Sequence, residues 1–165
     1  MATENNEVFF ADNIITTIPW LEYKNIVGMP DELVKMIKCL KYTSVQIDYY
    51  SDDIKTTAHW IYYPDKEKDY HRILVRKNFC ERSRGYWTET NVDRVKCAER
   101  KEYTYRNKYA YPLNTIGKNV IMKEILKWCA GKHIYGLGRW GEHQHYNSDV
   151  TVSKAISLAD RLMTE

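Results

Sequence analysis

The segment at residues 133–149 constrains the fold most, because it joins a buried strand to a helix through a turn rich in glycine. Residues 134–138 form a short apolar run, which is typical of a buried strand. Gly138 and Gly141 break the run on either side of Arg139 and Trp140. Beyond residue 149, apolar side chains recur at three- and four-residue spacing, which predicts an amphipathic helix. The apolar face of this helix comprises Val152, Ala155, Ile156, Ala159 and Leu162.

This order of strand, turn and helix predicts a ligand site. It places a loop and a helix N-terminus at the carboxyl end of a strand, where open α/β sheets bind ligands. The free N–H groups and positive dipole end of a helix N-terminus suit an anion such as a phosphate. Asn147, Ser148 and Asp149 all suit the N-cap position. On the residues alone, a glycine-rich turn that leads into an ordinary amphipathic helix remains the alternative.

A resemblance to a known family is found in Gly138-Arg139-Trp140-Gly141, followed by Tyr146-Asn147-Ser148-Asp149 and an alanine-containing helix. It resembles the C-terminal flavin-contacting segment of UDP-galactopyranose mutases and of the related amine-oxidase and protoporphyrinogen-oxidase-like flavoproteins. In that family an equivalent Gly-Arg-x-Gly turn and the following helix lie against the FAD. The cofactor-binding residues that the resemblance implies are Gly138, Arg139, Trp140, Gly141, Asn147 and Asp149.

Two further motifs are similar to parts of the substrate domain of the mutases. Residues 60–66 with 70–73 resemble a "Y-P-D-x…x-R-I" pattern whose arginine lies near the diphosphate of the sugar nucleotide, which implies this role for Arg72. A permanent planar cation with paired donors suits phosphate oxygens. The alternative, from the residues alone, is a strand arginine paired with an acid. Residues 109–112 resemble a "Y-Y-P" segment whose tyrosines reach the substrate phosphates, which implies a substrate contact for Tyr111.

The chain departs from the mutase pattern after Gly141. His143 and His145 stand where the mutases have tyrosines that hold the nucleotide sugar, so both are substrate-binding candidates by position. Asn147 stands where the mutases have an acid, a departure that weakens the implication of mutase activity but not that of flavoprotein kinship. Two histidines at this spacing would share one face of an extended chain. Without a third ligand nearby they do not predict a zinc site. We predict no metal, and no catalytic side chain can be assigned.

Composition excludes several classes of partner. The 25 basic and 22 acidic residues are scattered and give a net charge of +3, so no basic stripe indicates nucleic-acid binding. No signal peptide is apparent, and no apolar run approaches the ~18 residues of a membrane helix, so we expect a cytoplasmic protein without a membrane partner. The four cysteines lack a pairing motif, which argues against disulfides. They are Cys39, Cys80, Cys97 and Cys129.

The patterning predicts an α+β fold: a mostly antiparallel sheet with flanking helices, ending in the strand-turn-helix unit that completes the FAD domain in full-length relatives. Helices are predicted from Pro30 and over residues 116–130. Strands are predicted at residues 13–17, 43–50, 59–63, 70–75 and 85–90, with a further extended segment at 103–109. Residues 91–101 form a short helix or a loop. We treat residues 1–165 as a single domain, with a substrate-binding portion at about 13–130 and a flavin-contacting portion at 131–165.

No Gly-x-Gly-x-x-Gly follows an N-terminal strand, so the chain resembles only the back portion of such an enzyme. In the family the flavin performs the chemistry. We therefore expect the chain to bind FAD only with a companion chain that carries the dinucleotide-binding half, and to be inactive alone. The resemblance implies a partial or split flavoprotein that binds a UDP-sugar in polysaccharide or lipopolysaccharide biosynthesis. Two alternatives remain: a stand-alone non-catalytic module that binds a nucleotide sugar or a partner chain, and a non-functional remnant of an FAD-dependent oxidoreductase.

Overall fold

The computed structural model describes residues 1–3, 5–23, 25–96 and 101–164, which form an α+β fold. The chain divides into two compact units. Unit 1 comprises Met1–Lys41 and Pro112–Glu165, and unit 2 comprises Tyr42–Tyr111. Both long helices of the predicted substrate-binding portion belong to unit 1.

Seven strands and five α-helices lie in the described residues. In chain order they are β1 (Ile14–Thr16), α1 (Asp31–Lys38), β2 (Tyr42–Tyr50), β3 (Trp60–Tyr62), β4 (Tyr70–Val75), α2 (Arg76–Phe79), β5 (Tyr86–Asn91), β6 (Tyr103–Pro112), α3 (Lys118–Ala130), β7 (Ile134–Gly136), α4 (Gly138–Gly141) and α5 (Ser148–Thr164). Two 3₁₀ turns, Trp20–Glu22 and Val92–Arg94, lie between them. Of the segment predicted as a short helix or loop, residues 97–100, including Cys97, lie outside the described residues.

Unit 2 is a five-stranded antiparallel sheet in the order β3-β4-β5-β2-β6. This confirms the predicted antiparallel strands. Alternating side chains and short polar turns favour antiparallel neighbours. Strand β6 runs to Pro112 and is longer than predicted. Residues in register across an antiparallel sheet share a face. Arg72, Glu89 and Ile47 are in register on one side, which we call the Arg72 face. Ile73, Thr88 and Asp48 are in register on the other side, the Asp48 face.

Unit 1 holds an apolar core between α1, α3 and the 3₁₀ turn that begins at Trp20. The predicted helix periodicity is confirmed, since the interior positions of both helices contribute to this core. Its buried members are Trp20, Met29, Ile37, Leu40, Met122, Ile125 and Cys129. Burial raises the pKa of the Cys129 thiol to about 11. Cys39 and Cys80 are also free thiols.

The C-terminal part of unit 1 is open. Strands β1 and β7 are parallel neighbours, with Ile14 beside Ile134, and in the described residues β7 pairs with β1 alone. Helix α5 has 17 residues, none of which is buried. Its predicted apolar face is therefore uncovered in this chain, and Ile156 is 59% exposed. Among the helices that the structure describes, none has the length and apolar character needed to cross a membrane.

Candidate functional site

The predicted strand, glycine turn and helix are present in unit 1 as β7, α4 and α5. The turn itself is a single helical turn, Gly138–Gly141, which the sequence did not predict as helical. Gly138 begins it with φ +75°, a left-handed conformation that glycine adopts without strain. The Gly138 N–H donates to Glu142 Oε2 over 3.2 Å, and the Lys154 ammonium donates to Glu142 Oε1 over 2.8 Å. This places the start of α5 beside the turn.

Close backbone contact explains two of the glycines in this segment. A Cβ atom at Gly141 would lie 2.2 Å from the Thr16 carbonyl oxygen, and one at Gly136 would lie 2.2 Å from the Gly141 carbonyl oxygen. The buried Trp20 indole donates to that same Gly141 oxygen over 2.8 Å. Since neither position has room for a side chain, β1, β7 and α4 pack at backbone distance. Close backbone packing therefore explains Gly136 and Gly141 without reference to any ligand.

Hydrogen bonds within the loop order the remaining predicted cofactor residues. The Arg139 guanidinium donates to the Tyr146 carbonyl over 2.9 Å, and the Gln144 N–H donates to the Arg139 carbonyl over 2.9 Å. The Asn147 carbonyl accepts the Thr151 N–H over 3.1 Å at the start of α5, which agrees with the predicted N-terminal boundary. Of the six predicted residues, the two glycines are buried, Arg139 and Trp140 are half-buried, and Asn147 and Asp149 are exposed. The six residues thus lie in α4, in the loop that follows it and in the first turn of α5.

The structure buries His143, one of the two histidines predicted to bind substrate. It is only 1% exposed, and its Nε2 lies 3.0 Å from the Lys41 carbonyl oxygen, to which it donates. Its φ of +49° is left-handed, so the chain is not extended here, and His145 is exposed while His143 is buried. The two histidines therefore do not share a face. In the described part of the chain, no three His, Cys, Asp or Glu side chains are grouped to hold a metal.

Lys118 forms a buried polar cluster near His143 that the sequence analysis missed. Its ammonium donates to Asn114 Oδ1 over 2.6 Å and to Gln144 Oε1 over 2.7 Å. Burial lowers the pKa of Lys118. Burial also lowers the pKa of His143, the bond to the Lys41 carbonyl opposes this, and the Lys118 charge lowers it further. The four-residue spacing of Asn114 and Lys118 could have indicated their contact from the sequence. The contact of Lys118 with Gln144 could not be predicted in this way, because the two residues are distant in sequence.

The predicted diphosphate residue Arg72 is paired with an acid on its own face of unit 2. Its Nε donates to Glu89 Oε2 over 3.0 Å, and Nη2 contacts the same oxygen. Glu89 is 5% exposed, and His71 Nε2 lies 3.5 Å from its other oxygen. Burial lowers the pKa of Arg72, but the hydrogen bonds to Glu89 and Tyr62 outweigh burial and raise it. Only Nη1 points away from Glu89, at 3.4 Å from the Tyr62 hydroxyl.

Tyr111 lies far from Arg72 within the same sheet. It is the second-last residue of β6, next to the start of β2, where the Thr43 hydroxyl donates to its carbonyl over 3.4 Å. Strands β5 and β2 separate β6 from β4, which amounts to about 14 Å at ~4.8 Å per strand. Arg72 is in register with Glu89, and Glu89 with Ile47, four residues along β2 from Thr43. The structure therefore does not bring Arg72 and Tyr111 together at one diphosphate.

Comparison with known proteins identifies the fold. No protein-family model matches the chain, and no curated protein matches its sequence. The structure is similar to a crystal structure of reduced UDP-galactopyranose mutase, with a TM-score of 0.66 and 20% sequence identity. The match covers 85% of this chain and 38% of the mutase chain, so this chain spans well under half of that protein. At this identity the likeness establishes a shared α+β fold.

Proposed function

We propose that this chain is the flavin-contacting and substrate-sheet portion of a UDP-galactopyranose-mutase-like flavoprotein, which binds a UDP-sugar for polysaccharide or lipopolysaccharide biosynthesis in the cytoplasm. The observation that carries the proposal is the fold likeness over 85% of the chain. The sequence motifs support it, because they resemble the same family and do not depend on the fold comparison. A stand-alone binding module is the second candidate, favoured by a sheet that is complete within Tyr42–Tyr111.

The α4 turn and the start of α5 fit a flavin nucleotide in their donors and acceptors. Ser148 and Asp149, in the first turn of α5, are exposed residues, and the backbone N–H groups of a first helical turn favour an anion. Arg139 adds a cation beside them, while the exposed Asp149 carboxylate suits a cofactor hydroxyl or N–H. FAD, when bound, would supply the redox or covalent chemistry. The role of these residues would be to bind and orient it.

A partner that carries the dinucleotide-binding half would cover the open part of unit 1. A parallel pair of three-residue strands is too small to stand alone, because parallel sheets occur with both faces covered. A cleft of about 330 Å³ lies between α3, β7 and α5, with Leu126, Leu137 and Leu158 in its lining. The uncovered face of α5 adjoins it. We propose that the missing half, whether a companion chain or another part of the protein, packs here.

Binding of UDP-galactose tests the proposal. We expect the sugar nucleotide to bind to this chain and to shift NMR signals at Arg72 and Tyr62, since Nη1, at 3.4 Å from the Tyr62 hydroxyl, is the part of the guanidinium that Glu89 does not hold. Arg72→Lys keeps the charge but loses the planar fork, and we expect it to weaken binding roughly tenfold, or about 1.5 kcal/mol.

Arg106→Lys is the matched control. Arg106 donates to Gln46 Oε1 over 2.9 Å, and Gln46 belongs to the Asp48 face of the sheet. The substitution makes the same change of side chain on the opposite side, so we expect the affinity for UDP-galactose to be unchanged. No binding of UDP-galactose, or an equal loss in both variants, would overturn the proposed role of the Arg72 face.

A further inference from the structure

The Asp48 face of the sheet holds a second cleft, of about 290 Å³, which the proposed function does not use. Its floor is formed by Asp48 and Tyr50 of β2 and by Thr88 and Thr90 of β5. One wall is the turn that precedes β4, and the other is the segment that follows β5. The cleft therefore lies on the opposite side of the sheet from Arg72, wholly within unit 2.

The floor carries buried hydroxyl and carboxylate groups. Thr88 and Thr90 are buried, and Tyr50 is hydrogen-bonded to the Thr88 side chain. The Asp48 side chain is 7% exposed, and its Oδ1 accepts the Thr104 hydroxyl over 2.6 Å. Burial, and then the Asp48 charge, raise the pKa of Tyr50, so its hydroxyl stays protonated near neutral pH. The floor thus offers donors and acceptors at fixed positions.

Aromatic rings flank these polar groups. The Tyr50 and Tyr86 rings stack with centroids 5.0 Å apart and planes 12° from parallel. Tyr70 lines the cleft from β4, with its ring 5.2 Å from that of Tyr63. A flat apolar ring beside hydrogen-bonding groups is the amphipathic surface that tyrosine supplies.

The two walls are held together by specific contacts. Arg94 Nη2 donates to the Lys66 and Lys68 carbonyls, each over 3.1 Å, which ties the 3₁₀ turn after β5 to the turn before β4. The Lys96 ammonium lies 3.0 Å from Asp69 Oδ1 across the same opening. The cleft is therefore a built feature of unit 2, with the position of both walls fixed by hydrogen bonds or an ion pair.

The charged groups of the cleft are balanced by nearby groups of opposite charge. Three carboxylates and two lysines line the cleft, and they are Asp48, Glu67, Asp69, Lys68 and Lys96. Lys96 pairs with Asp69, and Lys101 Nζ, just outside the lining, lies 3.6 Å from Asp48 Oδ1. Lys68 lies 5.6 Å from the Tyr70 ring centroid. With Lys101 the three carboxylates face three lysines, so the cleft has no net charge to attract a phosphate, whereas a neutral polyhydroxylated ring could bond to hydroxyls and carboxylates together.

We propose that this cleft binds a neutral saccharide, of about one hexose unit. Its volume lies near the lower end of ligand pockets, about 300 Å³, which limits the occupant to one small ring. The inference goes beyond the proposed function and does not rest on it, because the nucleotide sugar is assigned to the other face of the sheet. The ligand expected here is an unphosphorylated sugar.

The test is a titration of the full chain with galactose and with N-acetylglucosamine, followed by NMR, with UDP in a separate arm. We expect at least one hexose to shift signals of Tyr50, Thr88 and Thr90, and UDP not to shift them. Thr90→Val removes one hydroxyl and should weaken binding by roughly 2- to 10-fold, as the loss of one hydrogen bond predicts. Tyr50→Phe keeps the ring and serves as the second variant if Thr90→Val does not fold.

Thr43→Val is the matched control, because the Thr43 hydroxyl bonds to the Tyr111 carbonyl near the other end of β2. Its affinity for hexose should equal that of the unchanged chain. The proposal is overturned if neither hexose shifts the floor signals at high millimolar concentration, if UDP shifts them as strongly, or if Thr43→Val weakens binding as much as Thr90→Val.

Discussion

Gly141→Ala should destabilise unit 1 by about 3 kcal/mol. The new Cβ would lie 2.2 Å from the Thr16 carbonyl oxygen and 3.0 Å from the Gly136 carbonyl carbon, both backbone atoms that cannot rotate away. Overpacking of this kind costs about 1–3 kcal/mol. Any shift of the turn also stretches the 2.8 Å bond from the Trp20 indole to Gly141, and an unpaired buried donor costs about 1–3 kcal/mol more.

Hydrogen exchange read by mass spectrometry localises this effect. The free energy of opening for peptides that contain β1 and β7 should fall by the amount above, while peptides from unit 2 should not change. Gly131→Ala is the control: its Cβ would meet the nearest atom, the Trp128 carbonyl oxygen, at 3.4 Å, an ordinary contact. That variant should stay within about 0.5 kcal/mol of the unchanged chain. A Gly141→Ala chain as stable as the control would refute the close packing of the glycines.

Three further predictions follow from the open side of unit 1 and its buried histidine. Burial lowers the pKa of His143 in the folded chain, so below pH about 6.5 the unfolded chain binds more protons than the folded chain, and stability decreases as the pH is lowered. His143→Asn should reduce this pH dependence of stability in denaturant melts, whereas His145→Asn should keep it. Amides of Ile134–Gly136 should exchange faster than those of Tyr42–Tyr50 in dilute protein and gain protection as the concentration rises, and equal, concentration-independent protection would contradict the open edge. The purified chain should be colourless, and stoichiometric flavin absorbance after gel filtration would show that it holds FAD unaided.

The sequence by itself determined the elements of the fold. The spacing of apolar residues predicted α1, α3 and α5, and alternation predicted the antiparallel strands, because these periods reflect which side of an element leaves water. The glycine-broken link from β7 to α5 was also predicted, as was the N-terminal boundary of α5 near Asn147. Such signals are local, so they do not specify which element covers a given face.

Only the tertiary structure decided what the candidate side chains contact. Arg72 meets Glu89 on the neighbouring strand β5, Lys118 meets Gln144 of the loop between α4 and α5, and Tyr111 lies three strands from Arg72. His143 lies inside because a left-handed backbone turns it towards the Lys41 carbonyl, and its residue type does not encode that conformation. Partners distant in sequence are set by strand order and packing, which a pattern of single residues does not contain.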